Sequence, residues 1–438
     1  MIWAQIVDFL PARRALRCLS AVLWLAGVFA AVSFATHAGP VSAAQSIARD
    51  ARLGGDAQRT RFVADLSREV RFRLFTLADP YRVIIDLPDV KFQLPSGLGQ
   101  KGRGLVAAFR YGLIAEGKAR IVIDLNTPVL VDKAFVLPAK GDQPARLVVD
   151  LVRTDRKRFL AALKLSSGSR SGILGRSRKA PKAPSVSKRK EKNKKPVIVL
   201  DPGHGGLDPG AISRKGLKEK DVVFAFSQTL MAKLKATGRY KVVLTRTIDT
   251  YVALRDRVSF ARKHGADLFL SIHADSLPGR YSTKISGATV YTLSEKASDD
   301  EAKALAAKEN LSDVIAGVEL PDTEDKVTSI LIDLALRETK NLSITFADIT
   351  LANLKGKTPL MQKAHRFAGF RVLKAPDVPS VLLELGYMSN PADTAKLTSV
   401  KWRRKIAGAI VKAVDKYFAA KSRGVRFNET QRESSRAN

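Results

Sequence analysis

The sequence predicts an α/β domain built on an open mixed sheet with helices on both faces, preceded by a small all-β sandwich. Three observations predict it. Between 61 and 160, short β-patterned runs follow one another, separated by Pro, Gly and Asp turn signals, with no clear helix. From 196 to 418, strand-like apolar runs alternate with segments of helical periodicity. Between these parts, 161–195 is rich in Ser, Gly, Pro, Lys and Arg, the composition of a basic disordered linker. A chain of 438 residues suits this division, being too long for one ordinary domain.

At the amino end, Arg13, Arg14 and Arg17 precede an apolar run from Leu19 to Phe34 and then small residues, the pattern of a cleaved signal peptide over 1–43. Val41-Ser42-Ala43 is the expected cleavage site. The run contains Gly27 and Ser33 and is short of the roughly 20 residues a stable membrane span needs. Arg13-Arg14 resembles part of a twin-arginine signal, so the general and twin-arginine routes both stay open. The only cysteine, Cys18, falls in this segment, which leaves the exported chain without thiol or disulfide chemistry. A formal charge of +33 favours an anionic polymer as partner: nucleic acid, lipid headgroups or acidic wall polymer. Behind an export signal, Lys188-Arg189-Lys190 and Lys192 to Lys195 read as a solvated tether, and no nucleic acid is expected.

Residues 44–60 are polar and basic and read as a flexible lead. The β-runs follow, among them Tyr81 to Leu87, Val106 to Arg110, Ala119 to Leu125 and Ala145 to Leu151. Arginine, three apolar residues, Asp and Leu recur at Arg82–Leu87, Arg120–Leu125 and Arg146–Leu151. This repeat suits sandwich edges, each Asp starting a turn. With no histidine and no convergent acids, 61–160 reads as a binding or targeting module, or a spacer, rather than an enzyme. It resembles the AMIN domain, which implies attachment to peptidoglycan and concentration at the division site.

In the larger part, Val197 to Leu200 form a strand that Pro202 and Gly203 end abruptly. His204 therefore stands beyond the carboxyl end of a strand, where open α/β sheets place ligands. No GxxxxGK[ST] or GxGxxG accompanies it, so a phosphate loop is set aside in favour of a metal-binding histidine. A helix spans Asp221 to Thr237, with Glu219 at its amino end. Lys241 to Leu244 is a strand and Leu254 to Lys263 a helix. Leu268 to Ile272 is a strand that delivers His273, and Ala288 to Thr292 follows. Val381 to Leu385 is the last expected strand, and Trp402 to Ala419 closes the domain as a helix. Two histidines and a carboxylate with a fourth place open form a catalytic zinc set; Mn²⁺ and Fe²⁺ are not excluded by donor type. Glu384 ends a buried strand, where a carboxylate has no packing reason to be. It suits a general base and acid, or a fourth ligand. His264 reads as a helix-ending residue, and His365 as a substrate contact or a helix-surface residue. Between the strand at 288–292 and the strand at 381 lie nearly 90 residues, more than one crossover needs, which places an insertion at about 295–340. Ser298 to Glu301 caps a helix through Asn310, and Val327 to Thr339 is helical again. The tail 419–438 is polar and reads as disordered.

Asp201-Pro202-Gly203-His204-Gly205-Gly206, the Glu219 segment, Ser271-Ile272-His273-Ala274-Asp275 and Leu383-Glu384-Leu385-Gly386-Tyr387 resemble the zinc-dependent N-acetylmuramoyl-L-alanine amidases of the AmiA/AmiB/AmiC type. The resemblance implies one Zn²⁺ on the positions of His204, Glu219 and His273, with Glu384 as catalytic acid and base. It implies hydrolysis of the amide between N-acetylmuramic acid and L-alanine in peptidoglycan, for cell separation, in the periplasm. It also implies that the insertion at 295–340 covers the zinc until a protein activator with a degenerate peptidase-like domain moves it. Glu309, then Glu301, are the expected plug residues, since 301, 309 and 313 fall near one helical face. A monomer is expected. Another zinc hydrolase of the envelope, or a non-catalytic wall-binding protein with a structural metal, remain the alternatives.

Overall fold

Alternating buried and exposed positions build the amino-terminal part as a sandwich. The computed structural model describes residues 45–95, 97–168, 195–276, 285–318 and 330–423. Its first nine strands are β1 (Ser46–Gly55), β2 (Arg59–Leu66), β3 (Arg73–Leu77), β4 (Arg82–Pro88), β5 (Val90–Phe92), β6 (Val106–Ala115), β7 (Lys118–Leu125), β8 (Val129–Leu137) and β9 (Ala145–Arg153). They form one sheet in the order β5-β1-β2-β9-β8 and another in the order β3-β4-β7-β6. Phe62, Val149 and Leu147 from the first sheet meet Val83, Ile85, Ile121 and Ile123 from the second in one apolar core. Helix α1 (Arg156–Gly168) follows and buries Phe159 edge-on against Tyr81.

Four expectations are corrected here. The flexible lead over 44–60 is instead β1 and the start of β2. Its inward positions are Ser46, Ala48 and Ala51, small residues that carry little hydrophobic signal. The linker expected over 161–195 does not begin at 161, because α1 runs on to Gly168. The Arg-to-Asp repeats lie on inner strands rather than edges, and their aspartates start no turns. Asp124 stands opposite Arg82 and Asp86 opposite Arg120 across β4 and β7, while Asp150 stands opposite Arg61. Strand alternation sends Val83, Ile85, Ile121 and Ile123 into the core and leaves these charges on the outer face, with Ile84 and Val122 between them. The tail expected to be disordered from 419 is helical as far as Ser422, where the last helix ends; the expected signal peptide, the rest of the expected linker (169–194) and the expected tail beyond 423 lie outside the described residues.

The second part comprises β10 (Val197–Pro202), α2 (Glu219–Ala236), β11 (Lys241–Leu244), α3 (Leu254–Lys263), β12 (Leu268–His273) and β13 (Ala288–Leu293). Then come α4 (Asp300–Asn310), α5 (Ser312–Ile315), α6 (Ile330–Leu354), β14 (Leu360–Ala368), β15 (Ser380–Glu384), α7 (Pro391–Thr398) and α8 (Val400–Ser422). The sheet order is β11-β10-β12-β15-β13-β14. The first four strands run parallel and β13 runs antiparallel to β15, so the sheet is mixed. Ile198 and Leu200 pack with Phe226, Phe346 and Ile410 on one face. Val199 and Phe269 pack with Leu254, Ala302 and Leu305 on the other.

Strand β14 was not expected: it is an edge strand whose Gln362 and Lys363 are exposed, so its apolar pattern is weak. It carries His365, which therefore lies on a strand and not a helix, bonded to Thr292 and Asp348. His264 caps α3 as expected, its Nδ1 2.9 Å from the Phe260 carbonyl.

Candidate metal centre

The site assembles at the carboxyl ends of β10, β12 and β15. Parallel pairing sets His273 directly opposite Glu384. The turn after β10 returns His204 to the same point with a left-handed φ of 56°. Arg257, 2% exposed, holds that turn by donating to Asp201 Oδ1, the Pro202 carbonyl and the His204 carbonyl at 2.7, 2.9 and 2.8 Å. Gly203 is required by close approach: a Cβ there meets the His273 ring at 2.5 Å. Gly210 is required likewise, since a Cβ meets His204 Cδ2 at 2.6 Å and Glu219 Oε2 at 2.7 Å.

Glu219 opens α2 and is completely buried. Its Oε2 accepts from the Ala211 N–H and its Oε1 from the Ala274 N–H, both at 2.9 Å, which fixes the carboxylate. Oε1 lies 3.2 Å from His204 Nε2 and 3.3 Å from His273 Nδ1. Both nitrogens are buried without a hydrogen-bond partner. On the other side of His204, Nδ1 is 2.9 Å from Asp208 Oδ2, which fixes the ring. Donor atoms of His204, Glu219 and His273 all lie within 4.8 Å of one another. A tetrahedral site with bonds of about 2.0 Å has its donors about 3.3 Å apart. Two orphaned nitrogens at that spacing from a fixed carboxylate suit a single zinc ion.

The insertion supplies a fourth group at the same spacing. Asp299 caps α4, accepting from the Ala302 N–H at 2.8 Å, as the acidic run at 298–301 predicted. At the far end of α4, Glu309 Oε2 lies 3.3 Å from His273 Nδ1 and 3.6 Å from His204 Nε2. Glu301 does not reach the site; it pairs with Arg366 at 2.9 Å. Asp313 follows a break in the helix at Leu311 and accepts from Tyr251 Oη and the Leu254 N–H at 2.6 and 2.9 Å. The single face expected for 301, 309 and 313 is therefore divided among three contacts.

Glu384 is wholly buried, with Oε2 accepting from the Asp275 N–H at 2.9 Å and Oε1 left without a partner. Burial, then Asp275 and Glu219, holds its carboxyl well above the ordinary value. Burial, then Glu219 and Glu309, pushes Asp275 up to about 7 against the pull of Lys308. Burial alone lowers His204, yet Glu219, Asp208 and Glu309 outweigh it and hold the ring well above its usual range. Such a surplus of buried negative charge fits a divalent cation.

Four contributors were not read from the sequence. Asp208 lies four residues after His204 and Asp275 two after His273, so proximity was their only signal. Lys308, paired with Asp275, and Ser312, which donates to Asp208, gave none.

Residues 198–416 match the family Amidase_3, N-acetylmuramoyl-L-alanine amidase, and residues 50–153 match the AMIN domain. The chain is 41% identical over 263 residues to N-acetylmuramoyl-L-alanine amidase AmiA of Escherichia coli, covering 60% of this chain and 90% of that one. It is 34% identical over 375 residues to N-acetylmuramoyl-L-alanine amidase AmiC of Neisseria meningitidis, covering 84% of this chain and 89% of that one.

Proposed function

Because the chain belongs to the N-acetylmuramoyl-L-alanine amidases of the Amidase_3 family and carries an AMIN domain, we propose that His204, Glu219 and His273 hold its zinc and that Glu384 is its acid and base. The protein is a zinc hydrolase of peptidoglycan that cleaves the amide between N-acetylmuramic acid and L-alanine. The observation that carries the residue assignment is the pair of orphaned nitrogens facing Glu219 Oε1 in a buried site.

Bound by this set, zinc supplies Lewis acidity toward a carbonyl and makes water nucleophilic at neutral pH. Glu384 Oε1 takes the proton of the attacking water and later delivers it to the alanine nitrogen. An amide nitrogen leaves badly as an anion, so the second transfer matters as much as the first. Meanwhile the Asp275 N–H keeps hold of Oε2, so the carboxyl does not rotate while the proton moves.

Glu309 is the plug of this centre: its carboxylate stands at donor distance from both histidines, which supports occupation of the fourth place when the insertion is closed. A closed state favoured by about 2.7 kcal/mol leaves roughly one molecule in a hundred open. A protein activator, expected to carry a degenerate peptidase-like domain, releases it. The β-sandwich attaches the enzyme to the wall. Export to the periplasm, where the enzyme separates daughter cells, is supported by the apolar run behind Arg13, Arg14 and Arg17. Intact peptidoglycan digested by the purified chain should gain free L-alanine amino ends and no reducing sugar ends. New reducing ends, or amino ends of another residue, overturn the reading.

A further inference from the structure

The outer face of the sheet β3-β4-β7-β6 is not left to solvent. Ile84 and Val122 on that face pack with Leu207, Tyr251 and Ala316 of the larger part. Around them stand three arginines. Arg120 is held by both oxygens of Asp86 at 2.6 and 3.0 Å, and Arg110 by both oxygens of Asp124 at 2.8 and 2.9 Å. The guanidinium groups then reach past their aspartates to consecutive carbonyls of the insertion. Arg82 donates to Val314, Arg110 to Ile315 at 3.3 Å, and Arg120 to Ala316 and Gly317 at 3.1 and 3.0 Å. Val314 and Ile315 end α5, Ala316 caps it and Gly317 follows, so these carbonyls lie at the end of a helix where intrahelical donors run out. Gly317 has φ 65°, and a Cβ there meets Ile84 Cδ1 at 2.5 Å, so the two surfaces are in full contact.

We propose that this arginine face is a latch for the insertion: by gripping residues 314–317, the β-sandwich keeps Glu309 on the metal centre. The inference rests on reading Glu309 as a plug. From Lys308 to the latch the chain is tied down at several points. Lys308 pairs with Asp275, Ser312 with Asp208, and Asp313 with Tyr251 and Leu254. The sheet thus joins wall attachment to autoinhibition, and whatever takes the arginine face from the insertion also weakens the plug. The Arg-to-Asp repeat gains a purpose as well. Two of its three aspartates, Asp86 and Asp124, pre-set the guanidinium groups of Arg120 and Arg110, whose remaining N–H groups reach the insertion.

The test uses the zinc-loaded full chain and reads two things, basal turnover on sacculi and amide hydrogen exchange over 308–318. Arg120→Ala should raise turnover roughly tenfold or more and speed that exchange, with zinc content unchanged. Because Arg120 also braces the sandwich, Gly317→Ala attacks the contact from the other side and should act in the same direction while exchange in β4 and β7 stays slow. Glu309→Ala should raise turnover alone, and adding Arg120→Ala to it should give little more. Unchanged exchange over 308–318 in both Arg120→Ala and Gly317→Ala overturns the latch, whatever Glu309→Ala does. If Glu309→Ala leaves turnover unchanged, the plug reading fails instead, and faster exchange still sustains the grip of the sandwich on the insertion.

Discussion

His204 and His273 reach one point from neighbouring strands, and removing either leaves Glu219 facing a single histidine. His273→Ala should therefore lose stoichiometric zinc in metal analysis; undiminished, tightly held zinc in that variant refutes the ligand set. Glu384→Gln keeps shape and the Asp275 N–H contact but carries no proton. It should retain zinc and lose about 10²–10⁴-fold in turnover at saturating peptidoglycan. Unchanged turnover counts against the assignment. At this scale the sequence was legible where a polar residue interrupts an apolar strand end, as at His204, His273 and Glu384. It was opaque where a residue acts through a partner distant in the chain. Asp208 bonds both a ligand histidine and Ser312, 104 positions on, and no local pattern announces that.

Among elements, the loop after β10 depends on α3 through one side chain. Arg257 is buried and donates to Asp201, Pro202 and His204, so it links a helix to the turn that carries His204. Arg257→Ala leaves Asp201 buried and short of its cation, and should cost about 3–5 kcal/mol in urea unfolding. A loss below about 1 kcal/mol would mean the pair is dispensable. The strongly apolar strands β10, β12 and β15 and the capped helix α4 were legible, because burial on both faces and an acidic N-cap leave marks in sequence. β1 and β14 were not: one buries alanine and serine, and the other is a polar edge. The Arg-to-Asp repeats were visible but misread, because a single strand does not state which neighbour it pairs with.

For the whole molecule, the charge of +33 and the folded contacts pull in different directions. In the sandwich Arg61, Arg110 and Arg120 are matched to aspartates, whereas 161–195 holds a single acid, Glu191, among many cations. The full chain should pellet with purified sacculi at low salt and come off as the screening length falls from about 10 Å at 0.1 M to about 3 Å at 1 M. Retention unchanged at 1 M assigns wall binding to uncharged contacts of the sandwich instead. The parallel register of β12 and β15 has a consequence for biosynthesis. Glu384 and the strand that separates β12 from β13 are supplied after nearly all of the rest has been translated. A chain stalled or clipped before residue 380 holds His204 and His273 but lacks Glu384 and the strand that joins β12 to β13. With Glu384 as the acid and base proposed above, such a truncated product should leave the wall uncut with no partner needed to guard it.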